Sequence, residues 1–369
     1  MNRYLAVFFM VALVVVCIAV DANAQAAAAK THVDAAKAAV AAKDTNPKVA
    51  PFHNYQALFD QMCAEPKLPD AVRQETDRWK PVARKDWFAW PANVFDNLYF
   101  IGTKQTGIYA INSSDGIIMI DANFEYDAKE LTLELLNFGL DPNNIKYIII
   151  THGHDDRYYG AKSLQEAYPK AHVAMSAADW DLVAKDNGPA QFKPKKDMVI
   201  SDGQKITLGD VTVTAYITPG HTPGTLSLII EPLWNKKSVA SDNNRHVAAI
   251  WGGTDINLGR QGVQYWPDGV TMMKTYIASL NRFADLAQKA GVDTILTQTP
   301  RHANTFEKIR AWRLMNPDES GGGNPDGVLG QALKLEGAPH PFTNKDGVVR
   351  YFKVLSECYQ ANLAWRMGS

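Results

Sequence analysis

Residues 145–160 read IKYIIITHGHDDRYYG, an apolar run that ends in a cluster of histidines and acids. The run Ile145–Ile150 is apolar enough to be a strand buried on both faces. His152 and His154 follow at a spacing of two residues, so in an extended loop their side chains project to the same side. Together with the nearby carboxylate of Asp156 they are the ligand types that zinc takes. The stretch therefore predicts a metal site at the end of a buried strand.

A third ligand is predicted in the segment ITPGHTPGT, residues 217–225. Here one Pro-Gly pair ends an apolar strand, a second pair begins the next strand, and His221 stands between them. A loop built in this way leaves the histidine little conformational freedom at the end of its strand. His221 is therefore the expected third ligand.

The segments on either side of these motifs indicate an α/β fold. Short apolar runs bounded by turn residues predict strands, and longer segments with helical spacing predict helices. The predicted strands are 98–102, 108–112, 116–121, 145–150, 172–175, 198–206, 211–217, 226–230, 247–251 and 294–298. The predicted helices are 127–138, 161–168 and 272–290. Strands in consecutive groups with helices between them favour two packed sheets with helices on the outside.

The composition excludes several classes of protein. The chain has 369 residues, of which 46% are hydrophobic and 21% charged, so it is neither disordered, collagen-like nor a polytopic membrane protein. Lys and Arg number 38 against 39 Asp and Glu, giving a formal charge of -1. This balance gives no reason to expect a nucleic acid or an anionic lipid as partner. A small-molecule substrate is expected instead, and the sequence leaves the oligomeric state open.

The N-terminus predicts export. Arg3 precedes an apolar run from Tyr4 to Val20, and small residues at Ala22 and Ala24 form a cleavage pattern. These are the parts of a secretory signal, predicted to span residues 1–24 and to place the mature chain in the periplasm or outside the cell. An uncleaved membrane anchor is the alternative, since the run approaches the length of a spanning helix.

Cleavage would leave two cysteines, Cys63 and Cys358. In an exported chain they could form a disulfide, and the alternative is a pair of buried free thiols.

Further boundaries follow from changes in composition. Residues 25–51 form an Ala-rich tether, expected to be helical without packing on anything. Residues 52–90 are predicted to be an N-terminal extension that packs on the main domain, residues 91–335. Residues 336–369 are predicted to hold a final strand over 348–355, followed by a short helix that packs on the domain.

The HxHxD motif at 152–156 and the TPGHTPG motif at 218–224 resemble the metallo-β-lactamase superfamily. The resemblance covers roughly residues 90–310 and is closest to exported hydrolases near the third subclass of class B β-lactamases. It implies an αββα sandwich of two mixed sheets with the metal site at one edge.

The resemblance also implies roles for individual residues. His152, His154 and His221 would hold a first zinc ion, and Asp156 would reach a second. Asp121 would hydrogen-bond a ligand histidine and fix its tautomer.

Two positions near the motifs depart from the family pattern. Arg157 stands where the third subclass has a histidine, and a guanidinium has no lone pair for a metal. Thr299 aligns with the last histidine of the family, whereas His302 follows three residues later and would have to turn towards the metal. We therefore expect one firm zinc site and a weak or empty second one. Arg157 would pair with Asp156 or with a substrate carboxylate.

The expected chemistry is hydrolysis. A zinc held by three neutral imidazoles lowers the pKa of its water from 15.7 to about 7, which provides metal-bound hydroxide as nucleophile. Asp156 would orient this nucleophile, and Tyr158 or Tyr159 would stabilise the oxyanion. The expected substrate is a cyclic amide or ester, with a β-lactam as the nearest family example. Alternatives are a lactonase or phosphodiesterase of the same fold, or a degenerate member that binds without catalysis.

Overall fold

The computed structural model describes residues 3–68, 71–72, 83–123, 128–236, 245–316 and 339–368, without the side chains of residues 3–21 and 128–129. The strands are β1 (Ala92–Phe95), β2 (Leu98–Phe100), β3 (Tyr109–Ser113), β4 (Gly116–Ile120), β5 (Ile145–Ile149), β6 (His172–Ser176), β7 (Met198–Ile200), β8 (Gln204–Leu208), β9 (Val211–Ile217), β10 (Leu226–Trp234), β11 (Arg245–Ile250), β12 (Gly259–Arg260), β13 (Val263–Gln264) and β14 (Thr294–Leu296). The helices are α1 (Arg3–Ala41), α2 (Gln56–Met62), α3 (Arg84–Trp87), α4 (Ala128–Asn137), α5 (Asp155–Ala167), α6 (Ala177–Lys185), α7 (Gly269–Lys289), α8 (Thr305–Met315) and α9 (Lys345–Met367).

Two mixed sheets form the body of the protein. The first has the order β1-β2-β3-β4-β5-β6-β7, antiparallel as far as β4 and parallel from β4 to β7. The second has the order β14-β11-β10-β9-β8, antiparallel except for the parallel pair β11 and β14. Strands β12 and β13 form a separate ribbon.

Three apolar clusters show how the layers stack. One lies between the two sheets and includes Ile120, Ile149 and Leu228. A second covers the outer face of the first sheet under α4, α5 and α6. A third covers the outer face of the second sheet under α7 and α9. Burial of these opposed apolar faces makes the four-layer αββα sandwich, which confirms the predicted fold.

The two loops that carry the histidines emerge at one edge of the sandwich. Strand β5 ends at Ile149 and β9 ends at Ile217, in different sheets. The Leu226 backbone N–H, at the start of β10, donates to the carbonyl oxygen of Thr151 at 2.7 Å. This bond joins the two sheets beside His152, so the loops converge at that edge.

The C-terminal strand predicted over 348–355 is wrong, because these residues lie inside helix α9. Their β-branched and aromatic content favours a strand, but the buried positions recur with helical spacing towards α7. Those buried apolar positions are Val348, Tyr351, Phe352, Val354, Leu355, Cys358 and Tyr359. The Asn344 side chain also accepts a hydrogen bond from the Gly347 N–H and caps the helix.

The tether predicted over 25–51 was expected to pack on nothing, which is wrong, because helix α1 packs against α9. Ala29 and Ala36 are fully buried, and His32 Nδ1 lies 2.6 Å from Glu357 Oε2. Small alanine side chains let two helix backbones approach closely, which composition alone did not reveal. The predicted cleavage point after Ala24 falls within α1, and the side chains of residues 3–21 lie outside those described. Cleavage of the signal stays a prediction.

Cys63 and Cys358 form a disulfide, which decides between the two alternatives left open by the sequence. The bond joins the end of α2 to α9 across 295 residues of chain. In the N-terminal extension, Tyr55, Leu58 and Met62 are buried in the cluster beneath α7 and α9. Among the residues whose side chains the structure describes, which exclude the apolar run at 4–20, no helix is long and apolar enough to cross a bilayer.

Lys308 of α8 is fully buried, 5.6 Å from the ring centroid of Phe342. Its Nζ has no hydrogen-bond partner among the described residues. Burial lowers the pKa of Lys308 from 10.5 to about 7, with a smaller opposing effect from Asp44. The unfolded chain therefore binds one more proton than the folded chain between these two pH values, and folding stability rises with pH across that window.

We expect Lys308→Met to raise the free energy of unfolding near pH 7, by roughly 1.4 kcal/mol for each pKa unit by which burial lowers the wild-type value. This gain should be smaller at pH 9 than at pH 7, because removing the proton from the buried lysine costs less free energy at the higher pH. Urea denaturation at several pH values measures both effects. Lys170→Met, at an exposed turn, is the control. A destabilised Lys308→Met protein would contradict the assignment.

Candidate metal centre

Three histidine rings converge between the loop after β5 and the loop after β9. Together His152, His154 and His221 form a buried group whose ligand atoms lie within 4.8 Å of one another. The Nε2 atoms of His152 and His221 are 3.1 Å apart. Zinc–nitrogen bonds of about 2.0–2.1 Å in a tetrahedron place two ligand nitrogens about 3.4 Å apart. The spacing therefore suits one ion between the rings.

Backbone carbonyl oxygens fix the orientation of two of these rings. The Nδ1–H of His152 donates to Gly252 O at 2.7 Å, and the Nδ1–H of His221 donates to Asp255 O at 2.6 Å. Each ring is thereby held in the tautomer that presents the Nε2 lone pair to the other histidines. On His154, the Nε2 atom lies 3.0 Å from the Tyr265 hydroxyl, which leaves Nδ1 as the nitrogen for a metal.

The protonation state of the rings also fits a metal. Burial lowers the pKa of His152 well below its usual value, and the neighbouring His221 and His154 lower it further. Burial lowers the pKa of His221 as well, against an opposing effect from Asp255. The imidazoles of His152 and His221 are thus neutral at ordinary pH, as a cation requires of its ligands. Three neutral imidazoles are a donor set that zinc takes.

Asp179 connects the two ligand loops, a role that the sequence did not reveal. Its fully buried carboxylate accepts hydrogen bonds from the backbone N–H of Gly153 at 2.9 Å and of Gly224 at 2.9 Å. It also accepts from the Thr222 hydroxyl at 2.7 Å. Burial raises the pKa of Asp179 to about 6, although these donors oppose the rise. One carboxylate therefore holds both loops in register.

The direct hydrogen bond predicted between Asp121 and a ligand histidine is wrong. The buried Asp121 carboxylate accepts from the N–H and hydroxyl of Thr151, each at 2.8 Å, and from Gln298 Nε2 at 2.9 Å. The Thr151 hydroxyl in turn lies 3.4 Å from His152 Nδ1. Asp121 thus fixes the residue before the first histidine, because the Gly252 carbonyl already occupies the ring nitrogen.

Two arginines flank Asp156 beside the triad. Arg157 Nη2 lies 3.4 Å from Asp156 Oδ2, and Arg260 Nη1 lies 3.7 Å from Asp156 Oδ1. Arg260 also pairs with Asp155 at 2.8 Å, and Arg157 Nη1 donates to Gln298 O at 3.1 Å. Both guanidiniums are buried. Positive charge therefore stands where the sequence predicted a weakened second metal site.

His302 lines the same cavity as the triad, but its ring nitrogens are used by other groups. Its Nε2–H donates to Gln61 Oε1 at 2.8 Å, and Nδ1 lies 3.2 Å from the Thr254 hydroxyl. Burial lowers the pKa of His302 to about 4. The sequence allowed His302 to turn towards the metal. The structure does not place it among the metal-binding residues.

The tyrosines after the motif point away from the site. The Tyr158 hydroxyl donates to Asp186 at 2.7 Å, and the Tyr159 ring stacks on Phe192 with centroids 4.8 Å apart. Both belong to the apolar cluster beneath α5. The predicted oxyanion role of Tyr158 is therefore wrong, because helix α5 begins at Asp155 and turns this side chain into the core.

The cavity beside the triad has a volume of about 40 Å³. Its walls include Asp156, Arg157, Arg260, Thr299 and His302. This is room for one or two water molecules or the reacting group of a substrate, whereas sites for drug-sized ligands measure about 300–1,000 Å³. A larger substrate would leave most of its volume at the mouth.

Sequence reasoning missed Asp179, Arg260 and Tyr265. Each lies on an element distant in sequence from the site residues that it contacts, and none belongs to a local motif. The local signal for Asp179 is its position just after a strand, in the first turn of α6. An acid at such a position is also favoured by the helix dipole, so the signal is not specific to a functional site.

Comparison with known proteins points to one superfamily. Residues 101–231 match the family model described as metallo-beta-lactamase superfamily. The chain is 28% identical over 123 residues to the probable polyketide biosynthesis zinc-dependent hydrolase BaeB of Bacillus velezensis, covering 33% of this chain and 49% of that protein. It is 35% identical over 80 residues to a hydroxyacylglutathione hydrolase of Acidiphilium cryptum, covering 22% of this chain and 28% of that protein. The chain thus spans about half or less of the length of these two relatives.

Solved structures support the fold. BJP-1, a subclass B3 metallo-beta-lactamase of Bradyrhizobium japonicum, superposes with a TM-score of 0.56 at 23% identity, covering 75% of this chain and 95% of that structure. A beta-lactamase from Chitinophaga pinensis superposes with a TM-score of 0.56 at 18% identity, covering 79% of this chain and 99% of that structure. Both have the fold described above.

We expect Asp179→Ala to destabilise the metal-free protein by roughly 2–4 kcal/mol, because it leaves three buried donors without their acceptor. Zinc affinity should fall as well, since the two ligand loops lose their common anchor. Urea denaturation in the presence of a chelator measures the first effect, and competition with a chromophoric chelator measures the second. Asp181→Ala, at an exposed position of the same helix, is the control. Unchanged zinc affinity in Asp179→Ala would show that the loops hold their register independently.

Proposed function

Because the chain belongs to the metallo-β-lactamase superfamily, we propose that it is an exported hydrolase that uses one zinc ion, held by His152, His154 and His221, to open a cyclic amide or ester. The observation that carries this proposal is the convergence of three buried imidazoles, two of them fixed by backbone carbonyls. A zinc ion bound there supplies Lewis-acid activation of water and of a substrate carbonyl.

Asp156 is the proposed proton-transfer group. Its carboxylate lines the cavity beside His152 and His221, where it can orient an attacking water and accept its proton. Arg157 and Arg260 flank the carboxylate and offset its charge. The proton would pass from Asp156 to the leaving nitrogen or oxygen as the ring opens.

The charges around Asp156 support the proposal of a single zinc ion per chain. In two-metal members the second ion would balance the negative charge of this residue, whereas here two buried guanidiniums already do so. Among the described residues, the metal-binding group contains the three histidines alone. Arg157 would further attract a substrate carboxylate at the mouth of the cavity.

A β-lactam is the proposed substrate type, since two of the structural neighbours are described as β-lactamases. The relatives in sequence include a hydroxyacylglutathione hydrolase, so a lactone or another ester is the second candidate. The small cavity favours a substrate that inserts only its reacting carbonyl. A binding role without turnover is the remaining alternative.

We expect the purified wild-type protein to contain one zinc per chain and His221→Ala to contain much less, because two histidines alone hold zinc weakly. His302→Ala should keep one zinc, and so should His172→Ala, which changes an exposed histidine of β6. Metal analysis after gel filtration measures the content. Two zinc ions in the wild type and one in His302→Ala would contradict the single-metal proposal.

Turnover separates the candidate activities. We expect hydrolysis of nitrocefin by the wild type and at least a 100-fold loss in Asp156→Asn, which removes the proton acceptor. A lactone, a thioester and a phosphodiester should be assayed in parallel. One zinc bound without turnover of any of these substrates would favour the binding role.

A further inference from the structure

Gln61 of helix α2 reaches from the N-terminal extension to the wall of the metal cavity. Its Nε2 donates to Asp255 Oδ1 at 2.5 Å. Its Oε1 accepts from His302 Nε2 at 2.8 Å and also from the Arg301 guanidinium. One amide therefore bridges the segment after β11 and the turn after β14.

Asp255 connects this amide to a ligand histidine. The backbone oxygen of Asp255 accepts the Nδ1–H of His221 at 2.6 Å, while its side chain receives Gln61. Asp255 lies in a segment without regular secondary structure between β11 and β12. No ladder of sheet or helix hydrogen bonds holds that carbonyl in place, so its direction depends on contacts such as this one.

Helix α2 is itself firmly attached. Leu58 and Met62 are buried, Cys63 is bonded to Cys358, and Asn362 Nδ2 donates to Met62 O at 2.8 Å. Gln61 therefore extends from a fixed helix and can impose a position on the Asp255 segment. Helix α2 also lies outside residues 101–231, which match the superfamily.

We propose that Gln61 is a positioning residue for the metal site. It holds the side chain of Asp255, so that the Asp255 carbonyl faces His221 Nδ1. The inference rests on the proposed function, because it takes the three histidines to be metal ligands. It assigns to the N-terminal extension a direct part in shaping the site.

Two substitutions at one position test the proposal. Gln61→Glu keeps an acceptor for His302 and Arg301 but loses the donor and sets a carboxylate against Asp255. Gln61→Ala removes both contacts. We expect zinc affinity, measured by competition with a chromophoric chelator, to fall about 10-fold or more in both variants, and at least as far in Gln61→Glu. Gln56→Ala, an exposed glutamine of the same helix, should match the wild type.

Stability measurements separate positioning from a merely structural role. Both substitutions remove hydrogen bonds and should lower the urea midpoint of the metal-free protein to some extent, but positioning requires that zinc affinity falls as well. A lowered midpoint with unchanged zinc affinity would overturn the proposal. So would wild-type zinc affinity in Gln61→Glu.

A double-mutant cycle tests the route through Asp255. Asp255→Ala keeps the backbone carbonyl and removes the side chain that Gln61 contacts. We expect Gln61→Ala to cause no further loss of zinc affinity in an Asp255→Ala background. Additive losses would overturn the proposed route. If the wild type binds no zinc, the proposed function fails; if it binds zinc and Gln61→Glu binds equally well, only this inference fails.

Discussion

The buried carboxylate of Asp179 is the interaction on which the metal centre depends most. The ligand histidines come from loops that extend from different sheets, and a sandwich interface of apolar side chains does not by itself fix the relative position of two loops. Asp179 accepts from the loop of His152 and His154 and from the loop of His221 with the same carboxylate. It converts two independent loops into one rigid unit, and the cost of burying its charge appears as its raised pKa.

The positive charge around Asp156 is a distinctive feature of this site. In this chain a carboxylate next to the metal ligands is balanced by guanidiniums from α5 and β12, rather than by further imidazoles. A guanidinium carries its charge at any ordinary pH. The pocket is thus permanently organised around Asp156, whereas a metal-filled second site would change with metal supply.

Most of the fold and the three principal ligands could be predicted from the sequence, because both depend on local patterns. Apolar runs such as Ile145–Ile150 define strands, and the spacing of His152 and His154 defines a metal motif. Contacts between distant segments were not predictable in the same way. Nothing near Gln61 or Arg260 in the sequence indicates a partner more than 100 residues away. Tyr158 was misassigned for a related reason, since its direction depends on where α5 begins.

The disulfide between Cys63 and Cys358 joins an early helix to a late one. Every strand that the structure describes lies between these two cysteines. The bond can therefore close only after all of these strands have been synthesised. The loop that this bond closes therefore contains both sheets of the sandwich. In a reducing compartment the attachment of α2 to α9 would rest on noncovalent packing and on the hydrogen bond from Asn362 to Met62 alone.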